Sequence, residues 1–252
     1  MSGTVEDLMN SLPCKGEFLE VGGHPAFIIT PAGEHPHPER PWAWYAPTFV
    51  KSHPKPRHEW LFRQFLKQGI CIVGVEVGES YGNPEGRKAY SVFCHTLCAR
   101  YGMSRKACLM PQSRGGLMLY NWASENPRSV CCIAGIYPVC DLRSYPGLHK
   151  ACTAYGMSEA DLGLCLREHN PVDRLAGLAE ARVPIFHVHG DSDAVVPLED
   201  NSGELARRYK ALGGDVEVLV IEGRGHEEAS EFFTCQALVD FVVRNVDRGS
   251  QD

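Results

Sequence analysis

The feature that most constrains the fold is a series of short apolar runs that alternate with stretches of helical spacing. Six runs have the length of buried strands, and they occupy residues 41–47, 70–78, 106–112, 130–138, 183–190 and 216–223. One of them, ICIVGVEVG, is a continuous β-branched run of the kind found in strands covered on both faces. The intervening stretches, such as HEWLFRQFLKQG, place apolar residues on one face and end at a glycine. This alternation predicts an α/β fold with a mostly parallel sheet and helices on both of its faces.

Two further strands, EFLEV and PAFIIT, flank a Gly22-Gly23 turn and bring the expected sheet to about eight strands. One helix is predicted over NSGELARRYKALGG and a closing helix over EFFTCQALVDFVVRNV. No repeat or long linker divides the chain, so residues 1–252 are expected to form one domain. Between 141 and 178 the pattern is helical but irregular, which predicts a small helical lid inserted into that domain.

Composition and charge exclude several classes of protein. The net charge of −6 at pH 7 gives no support to a nucleic-acid partner, which would need a basic face. No apolar run approaches the length of a membrane span, so no membrane partner is expected. The N-terminal residues lack the pattern of a signal peptide, which favours a cytoplasmic location. The 11 cysteines follow no disulfide spacing and lie mostly in apolar runs, so we expect free thiols. The sequence leaves open whether the protein forms a homo-oligomer.

The stretch LMPQSRGGLMLYNWA places Ser113 between a predicted strand and a predicted helix, with two glycines close by. This is the arrangement of a nucleophile elbow, in which missing Cβ atoms let the strand and the helix approach each other. Gly115 occupies the second glycine of the G-x-S-x-G pattern, but Pro111 replaces the first. From this window alone, Ser113 is either a nucleophile or the N-cap of the helix.

Two other loops, each after a predicted strand, carry groups that would activate a serine. GDSDAVVP presents Asp191 and Asp193, and GRGH presents His226. Either aspartate could serve only to form a turn, and we prefer that interpretation for Asp191. Serine, aspartate and histidine thus follow one another in the chain order of an α/β-hydrolase triad. Because each follows the carboxyl end of a predicted strand, we expect the three groups to lie together at one edge of the sheet.

Over nearly its whole length, the sequence resembles the α/β-hydrolase superfamily, and its SRGG elbow is similar to those of bacterial esterases and prolyl-oligopeptidase-like catalytic domains. The resemblance implies an α/β-hydrolase fold in which GDSDAVVP is the acid loop and Asp193 is the triad acid. It likewise implies that GRGH is the histidine loop. Ser113 would then be the nucleophile, which is weak until a base such as His226 takes its proton. Asp193 would orient the imidazole and remain ionised.

Such a triad also needs backbone N–H donors for the oxyanion of the tetrahedral intermediate. The N–H of Arg114 follows the nucleophile at the helix N-terminus and is expected to be one donor. Ala46-Pro47-Thr48 stands where relatives carry His-Gly-X. The resemblance therefore implies the Thr48 N–H as the second donor, since Pro47 has none.

Glu79, Tyr81 and Tyr145 are candidates for the substrate pocket. The neighbouring Arg114 side chain, Tyr81 and Tyr145 each have two interpretations. The Arg114 side chain either binds a substrate carboxylate or pairs with an acid such as Glu79, and we favour the pair. Tyr81, which follows Glu79 closely in the same loop, either lines the pocket or packs over the sheet edge. Tyr145 of the expected lid either faces the substrate or packs on the body of the domain.

These observations predict a serine hydrolase, most simply a carboxylesterase, that cleaves a small-molecule ester through an acyl-enzyme. A peptidase of the prolyl-oligopeptidase-like type is one alternative, although nothing in the sequence supplies the propeller that restricts substrates in those enzymes. A second alternative is a ligand-binding protein that kept the fold and lost catalysis. No metal or other cofactor is expected, because neither metal-ligand spacing nor a glycine-rich phosphate or dinucleotide loop is present.

Overall fold

A twisted sheet of eight strands forms the centre of the described chain. The computed structural model describes residues 12–33, 40–50 and 54–249. The strands are β1 (Glu17–Val21), β2 (His24–Ile29), β3 (Trp42–Ala46), β4 (Cys71–Val75), β5 (Ala107–Pro111), β6 (Val130–Ile136), β7 (Ile185–Gly190) and β8 (Val216–Ile221). Their order across the sheet is β1-β2-β4-β3-β5-β6-β7-β8. The β2 strand pairs antiparallel with β1 and β4, and all other neighbours are parallel. The predicted strand number and the mostly parallel pairing are confirmed.

Helices cover both faces of this sheet. They are α1 (Glu59–Lys67), α2 (Pro84–Tyr101), α3 (Gly115–Glu125), α4 (Leu148–Tyr155), α5 (Glu159–Leu164), α6 (Ala176–Glu180), α7 (Glu204–Ala211), α8 (Ser230–Phe233) and α9 (Gln236–Gly249). One face packs against α2, α3 and α7, and the other against α1, α8 and α9. Side chains of β3 alternate between the two apolar layers, with Trp44 in one and Tyr45 in the other. Because both faces are buried, the sequence of such a strand is a continuous apolar run.

Two helix predictions were wrong in detail. The closing helix is interrupted at Thr234 and Cys235, so that α8 and α9 are separate. Thr234 donates both its N–H and its hydroxyl to the Ser230 carbonyl, while the Cys235 thiol receives backbone hydrogen bonds at the start of α9. Upstream, the predicted start of α7 at residue 201 is a π-helical turn, Glu199–Gly203, before the α-helix begins. Local hydrogen bonds of this kind do not alter the apolar periodicity from which helices are predicted.

The segment 141–178 forms a group of short helices beside the sheet. It contains α4, α5 and α6, with 3-10 turns at Leu166–Glu168 and Pro171–Asp173. Ala151, Leu162 and Leu166 pack with Leu117 of α3 in a third apolar cluster. The hydroxyl of Tyr155 donates to the Tyr81 carbonyl at 2.9 Å. These contacts fix the segment to the body of the domain.

All 11 cysteines are free thiols, as expected from their spacing. Among the described helices, none has both the length and the apolar character that crossing a membrane requires.

Candidate active site

Ser113 lies on a sharp turn between β5 and α3. Its φ of 49° falls in the left-handed region, which is uncommon for a residue with a side chain. Three backbone hydrogen bonds hold the turn. The Ser113 N–H donates to the Ile136 carbonyl, and the Ser113 carbonyl accepts from the N–H groups of Val139 and Gly116. Such a conformation persists only where its surroundings impose it, and it lifts the hydroxyl beyond the carboxyl edge of the sheet.

Two glycines allow the turn to pack this closely. A Cβ on Gly115 would lie 2.1 Å from the Ala46 carbonyl oxygen, and one on Gly116 would lie 2.2 Å from the Val139 carbonyl oxygen. Both distances are far below van der Waals contact, so no larger residue fits without a shift of backbone. Pro111, which replaces the first glycine of the usual pattern, is buried at the end of β5 opposite Ala46. The glycines are therefore structural requirements of the elbow.

The structure brings Ser113, His226 and Asp193 into one hydrogen-bonded row. Ser113 Oγ lies 2.8 Å from His226 Nε2, and His226 Nδ1 lies 2.7 Å from Asp193 Oδ2. Asp193 follows β7, and His226 lies in the loop after β8. The side chain of Asp193 is fully buried, whereas the imidazole is 18% exposed. A carboxylate, an imidazole and a hydroxyl in this order can move a proton away from the hydroxyl.

The Asp193 carboxylate is held by several donors. Its Oδ1 accepts hydrogen bonds from the backbone N–H groups of Val195 and Val196, at 3.0 and 2.8 Å. Burial alone would raise the pKa of this carboxyl, but hydrogen bonds from His189, His226 and Val196 together hold the pKa below its ordinary value. The group is thus ionised at neutral pH and can balance a positive charge on the imidazole.

Asp191 has a different environment, although it lies only two residues away. It is exposed, and its Oδ1 accepts hydrogen bonds from the Gly223 N–H at 2.7 Å and the Ser192 hydroxyl at 3.0 Å. These bonds tie the loop after β7 to the loop that carries His226. Asp191 therefore has the turn-forming contacts that the sequence predicted for it.

The candidate rim residues also cluster together. The Arg114 guanidinium forms an ion pair with Glu79, which is the partner that the sequence favoured. Tyr81 lies beside this pair, and burial, the Glu79 charge and a hydrogen bond with Glu79 raise the pKa of the phenol to about 12. The hydroxyl of Tyr145 is close enough to contribute to the same shift. Tyr81 and Tyr145 both pack against the apolar cluster beneath the lid.

The two candidate oxyanion donors lie at the expected ends of their elements. Arg114 is the residue at the N-terminus of α3, immediately after Ser113. Thr48 is buried just after β3, and its hydroxyl donates to the Tyr45 carbonyl at 3.0 Å. The strand that leads to Thr48 ends at Ala46, whose carbonyl contacts the elbow.

Sequence analysis missed a buried polar group beneath the elbow. Gln112 Oε1 accepts hydrogen bonds from the Tyr45 hydroxyl at 2.6 Å and from His58 Nε2 at 2.7 Å. Gln112 Nε2 donates to the Tyr137 hydroxyl at 3.0 Å. The ring of Tyr137 in turn lies 4.6 Å, centroid to centroid, from the ring of His226. The only signal in the sequence was a polar residue at the end of a buried strand, beside the serine.

Comparison with known proteins identifies the fold. No protein-family model and no curated protein sequence matches the chain. Among solved structures, dipeptidyl peptidase 4 from Porphyromonas gingivalis matches with a TM-score of 0.73 at 12% identity, over 92% of this chain and 35% of that one. A puromycin-hydrolyzing peptidase from Mycobacterium tuberculosis matches with a TM-score of 0.68 at 15% identity, over 92% and 39%. Est1E from Butyrivibrio proteoclasticus matches with a TM-score of 0.66 at 14% identity, over 92% and 99%.

These similarities cover nearly the whole of this chain at low sequence identity, so they establish a shared fold. The α/β-hydrolase fold predicted from the sequence is confirmed by them and by the strand order of the sheet. The chain spans between 35% and 39% of the length of the two peptidases, and nearly all of Est1E.

Proposed function

We propose that this chain, which has the α/β-hydrolase fold, is a serine hydrolase that cleaves carboxylic esters through an acyl-enzyme. The observation that carries the proposal is the hydrogen-bonded row of Ser113, His226 and Asp193. Its residues lie on three separate loops at the carboxyl edge of the sheet, which is where ligands bind in folds of this class. The strained φ of Ser113 supports the same assignment, because the elbow exposes a hydroxyl.

In the first half of the reaction, His226 Nε2 takes the proton of Ser113 while Oγ attacks the ester carbonyl carbon. Asp193 keeps the proton of the imidazole on Nδ1 and stabilises the imidazolium without becoming protonated. The N–H groups of Arg114 and Thr48 would bind the oxyanion of the tetrahedral intermediate, a role in which one lost donor costs about a hundredfold or more in rate. His226 then gives its proton to the alcohol, which leaves.

In the second half, a water molecule replaces the alcohol. His226 removes a proton from the water as it attacks the acyl carbon, and it returns a proton to Ser113 Oγ when the acid departs. The partial exposure of His226 supports this step, since solvent can reach the imidazole. The ion pair of Arg114 and Glu79, with Tyr81 beside it, would form the polar rim of the pocket.

Peptide hydrolysis is the second candidate, because two of the similar structures are described as peptidases. We place esters first because an esterase, Est1E, is among the similar structures, with a TM-score of 0.66. A side-by-side assay on p-nitrophenyl acyl esters and on aminoacyl p-nitroanilides separates the two functions. A kcat/KM that is larger for the anilides would overturn the preference for esters.

The proposal as a whole is tested with a fluorophosphonate, which reacts with an activated serine and releases fluoride. We expect mass spectrometry to find the phosphonyl adduct on Ser113, and none in the Ser113→Ala variant. That variant should fold normally and lose about 10⁴-fold or more of its ester turnover, as other triads do without their nucleophile. An unlabelled native protein without turnover would favour the ligand-binding alternative instead.

A further inference from the structure

A second row of buried polar side chains ends at Asp193, and the proposed reaction does not use it. The Tyr120 hydroxyl lies 2.6 Å from His187 Nε2, and His187 Nδ1 lies 2.9 Å from the Ser202 hydroxyl. The same hydroxyl lies 2.8 Å from His189 Nδ1, and His189 Nε2 lies 3.5 Å from Asp193 Oδ2. Tyr120, His187, His189 and Ser202 are each 0% exposed. We call these four residues the buried relay.

Three elements of the fold bring the buried relay together. His187 and His189 are two residues apart on β7, so their side chains lie on the same face of the strand. Ser202 is presented between them by the π-helical turn before α7, a feature that often marks functional positions. Tyr120 lies on α3, the helix that begins beside the nucleophile. The relay therefore connects the helix of Ser113 with the loop of Asp193.

The direction of the hydrogen bonds follows from one carbonyl group. His189 Nε2 lies 2.9 Å from the backbone oxygen of Val196, and a carbonyl oxygen can only accept. His189 Nε2 therefore carries a proton. In a neutral His189, Nδ1 must then accept the hydrogen of Ser202, whose oxygen in turn accepts from His187 Nδ1. His187 Nε2 is left to accept from the Tyr120 hydroxyl.

His187 is the neutral histidine of the relay at ordinary pH. Burial, together with the neighbouring His189, lowers the pKa of His187 to about 3. Each donor in the relay then points towards Asp193, and hydrogen bonds arranged head to tail in a dry interior polarise one another. The last N–H of the relay, on His189 Nε2, donates to the Val196 carbonyl and lies 3.5 Å from Asp193 Oδ2, the oxygen that accepts from His226 Nδ1.

We propose that His189 is a positioning residue of the triad, held and polarised by Ser202, His187 and Tyr120, and that it fixes Asp193 Oδ2 opposite His226. This inference rests on the proposed function, since it concerns the residue that orients the general base. His189 does not reach the substrate or the reacting atoms. It acts by fixing the carboxylate from the side away from His226, while Val195 and Val196 hold the other oxygen.

The hydrogen-bond directions can be tested without any assay of activity. In ¹⁵N-histidine protein, the ring nitrogen shifts report which nitrogen carries the proton. We expect His187 to be protonated on Nδ1 only and His189 on Nε2 only at neutral pH. A His189 protonated on both nitrogens, or a His187 protonated on Nε2, would reverse the relay and overturn the proposal. This result stands whether or not the protein hydrolyses esters.

The effect on the triad is tested with a matched pair of tyrosine variants and with Ser202→Ala. Tyr120 and Tyr209 are both buried and both donate a hydroxyl hydrogen bond, but Tyr209 donates to the Val183 carbonyl, outside the relay. Ser202→Ala, which removes the centre of the relay, is expected to lower kcat about tenfold with little change in KM. Tyr120→Phe should lower kcat less, and Tyr209→Phe should leave it unchanged.

Two further readouts separate positioning from general destabilisation. The downfield proton resonance of His226 Nδ1–H should shift in Ser202→Ala and stay in place in Tyr209→Phe. His189→Gln, which retains a side-chain N–H donor, should keep more activity than His189→Leu. Equal kcat in native protein and folded Ser202→Ala, with an unshifted resonance, would disprove the positioning role. A native protein that neither reacts with a fluorophosphonate nor turns over would instead disprove the proposed function.

Discussion

The ring of Tyr137 packs against the ring of His226, with centroids 4.6 Å apart and planes tilted by 57°. Tyr137 directly follows β6, and its ring also contacts Phe232, 5.0 Å away between centroids. Its hydroxyl accepts a hydrogen bond from Gln112, the residue before the nucleophile. One side chain thus touches the candidate base and the elbow, so it sets the position of the imidazole relative to the serine.

This contact predicts that the ring of Tyr137 matters more than its hydroxyl. Tyr137→Phe keeps the packing against His226 and should lower kcat/KM only a few-fold, through the lost partner of Gln112. Tyr137→Ala removes the wall beside the imidazole and should lower kcat/KM about a hundredfold, because misplaced reacting groups are slow. Ester hydrolysis by the purified variants, with circular dichroism as a check of folding, measures both. Equal losses in the two variants would show that the ring does not position His226.

The residues of the candidate triad were predictable because each follows a strand that is recognisable by itself. Ser113, Asp193 and His226 need no knowledge of distant contacts, since parallel strands bring their carboxyl ends to one edge. The roles of Gln112 and His189 were not predictable. His189 lies inside an apolar run and Gln112 at the end of one. Their contacts are with partners distant in the chain, Ser202 for His189 and Tyr45 for Gln112, 13 and 67 residues away.

The fold showed the same division between local and distant information. The strand number and the mostly parallel pairing followed from the alternation of apolar runs with helical stretches, which is a property of each segment. The helix is broken at Thr234 and Cys235 although the helical pattern of the sequence runs through them. The π-helical turn at Glu199–Gly203 carries Asn201, which accepts hydrogen bonds from the backbone N–H groups of Cys140 and Asp141. Such long-range capping leaves no local signature.

The two aspartates of the acid loop should respond very differently to the same substitution. Asp193→Asn replaces the buried acceptor of His226 and misplaces the imidazole, and in a serine protease the equivalent change costs about 10⁴-fold in kcat. Asp191→Asn keeps an oxygen for the Gly223 N–H, so kcat should fall less than about threefold. Initial rates on a p-nitrophenyl ester provide the comparison. If Asp191→Asn were the inactive variant, the triad would have to be rebuilt around Asp191.

The lowered pKa of Asp193 predicts how stability depends on pH. Its folded-state value lies below the ordinary aspartate value of about 3.9, so the ionised carboxylate stabilises the fold above that pH. The contribution is lost as the pH falls through the folded-state pKa. The difference in free energy of unfolding between native protein and Asp193→Asn should therefore shrink as the pH falls below about 4.

Urea unfolding of both proteins at a series of pH values measures this difference. Other carboxylates titrate in both proteins, so their contributions to the free energy of unfolding cancel in the comparison. A stability difference that grew on acidification would mean that the carboxyl is destabilised by burial, contrary to the hydrogen bonds around it.

The last prediction concerns the close packing of the elbow. Gly115→Ala would place a Cβ 2.1 Å from the Ala46 carbonyl oxygen, so the start of α3 must move away from β3. Because Ser113 and Arg114 immediately precede this residue, the shift should displace the nucleophile and lower kcat about a hundredfold. Gly163→Ala is the matched control. Gly163 lies on α5, where the nearest atom to a new Cβ is Leu148 Cδ1 at 3.8 Å, so alanine fits and helix propensity improves. We expect Gly163→Ala to keep native kcat and an equal or higher Tm. Native activity in Gly115→Ala would show that the elbow tolerates separation of β3 from α3.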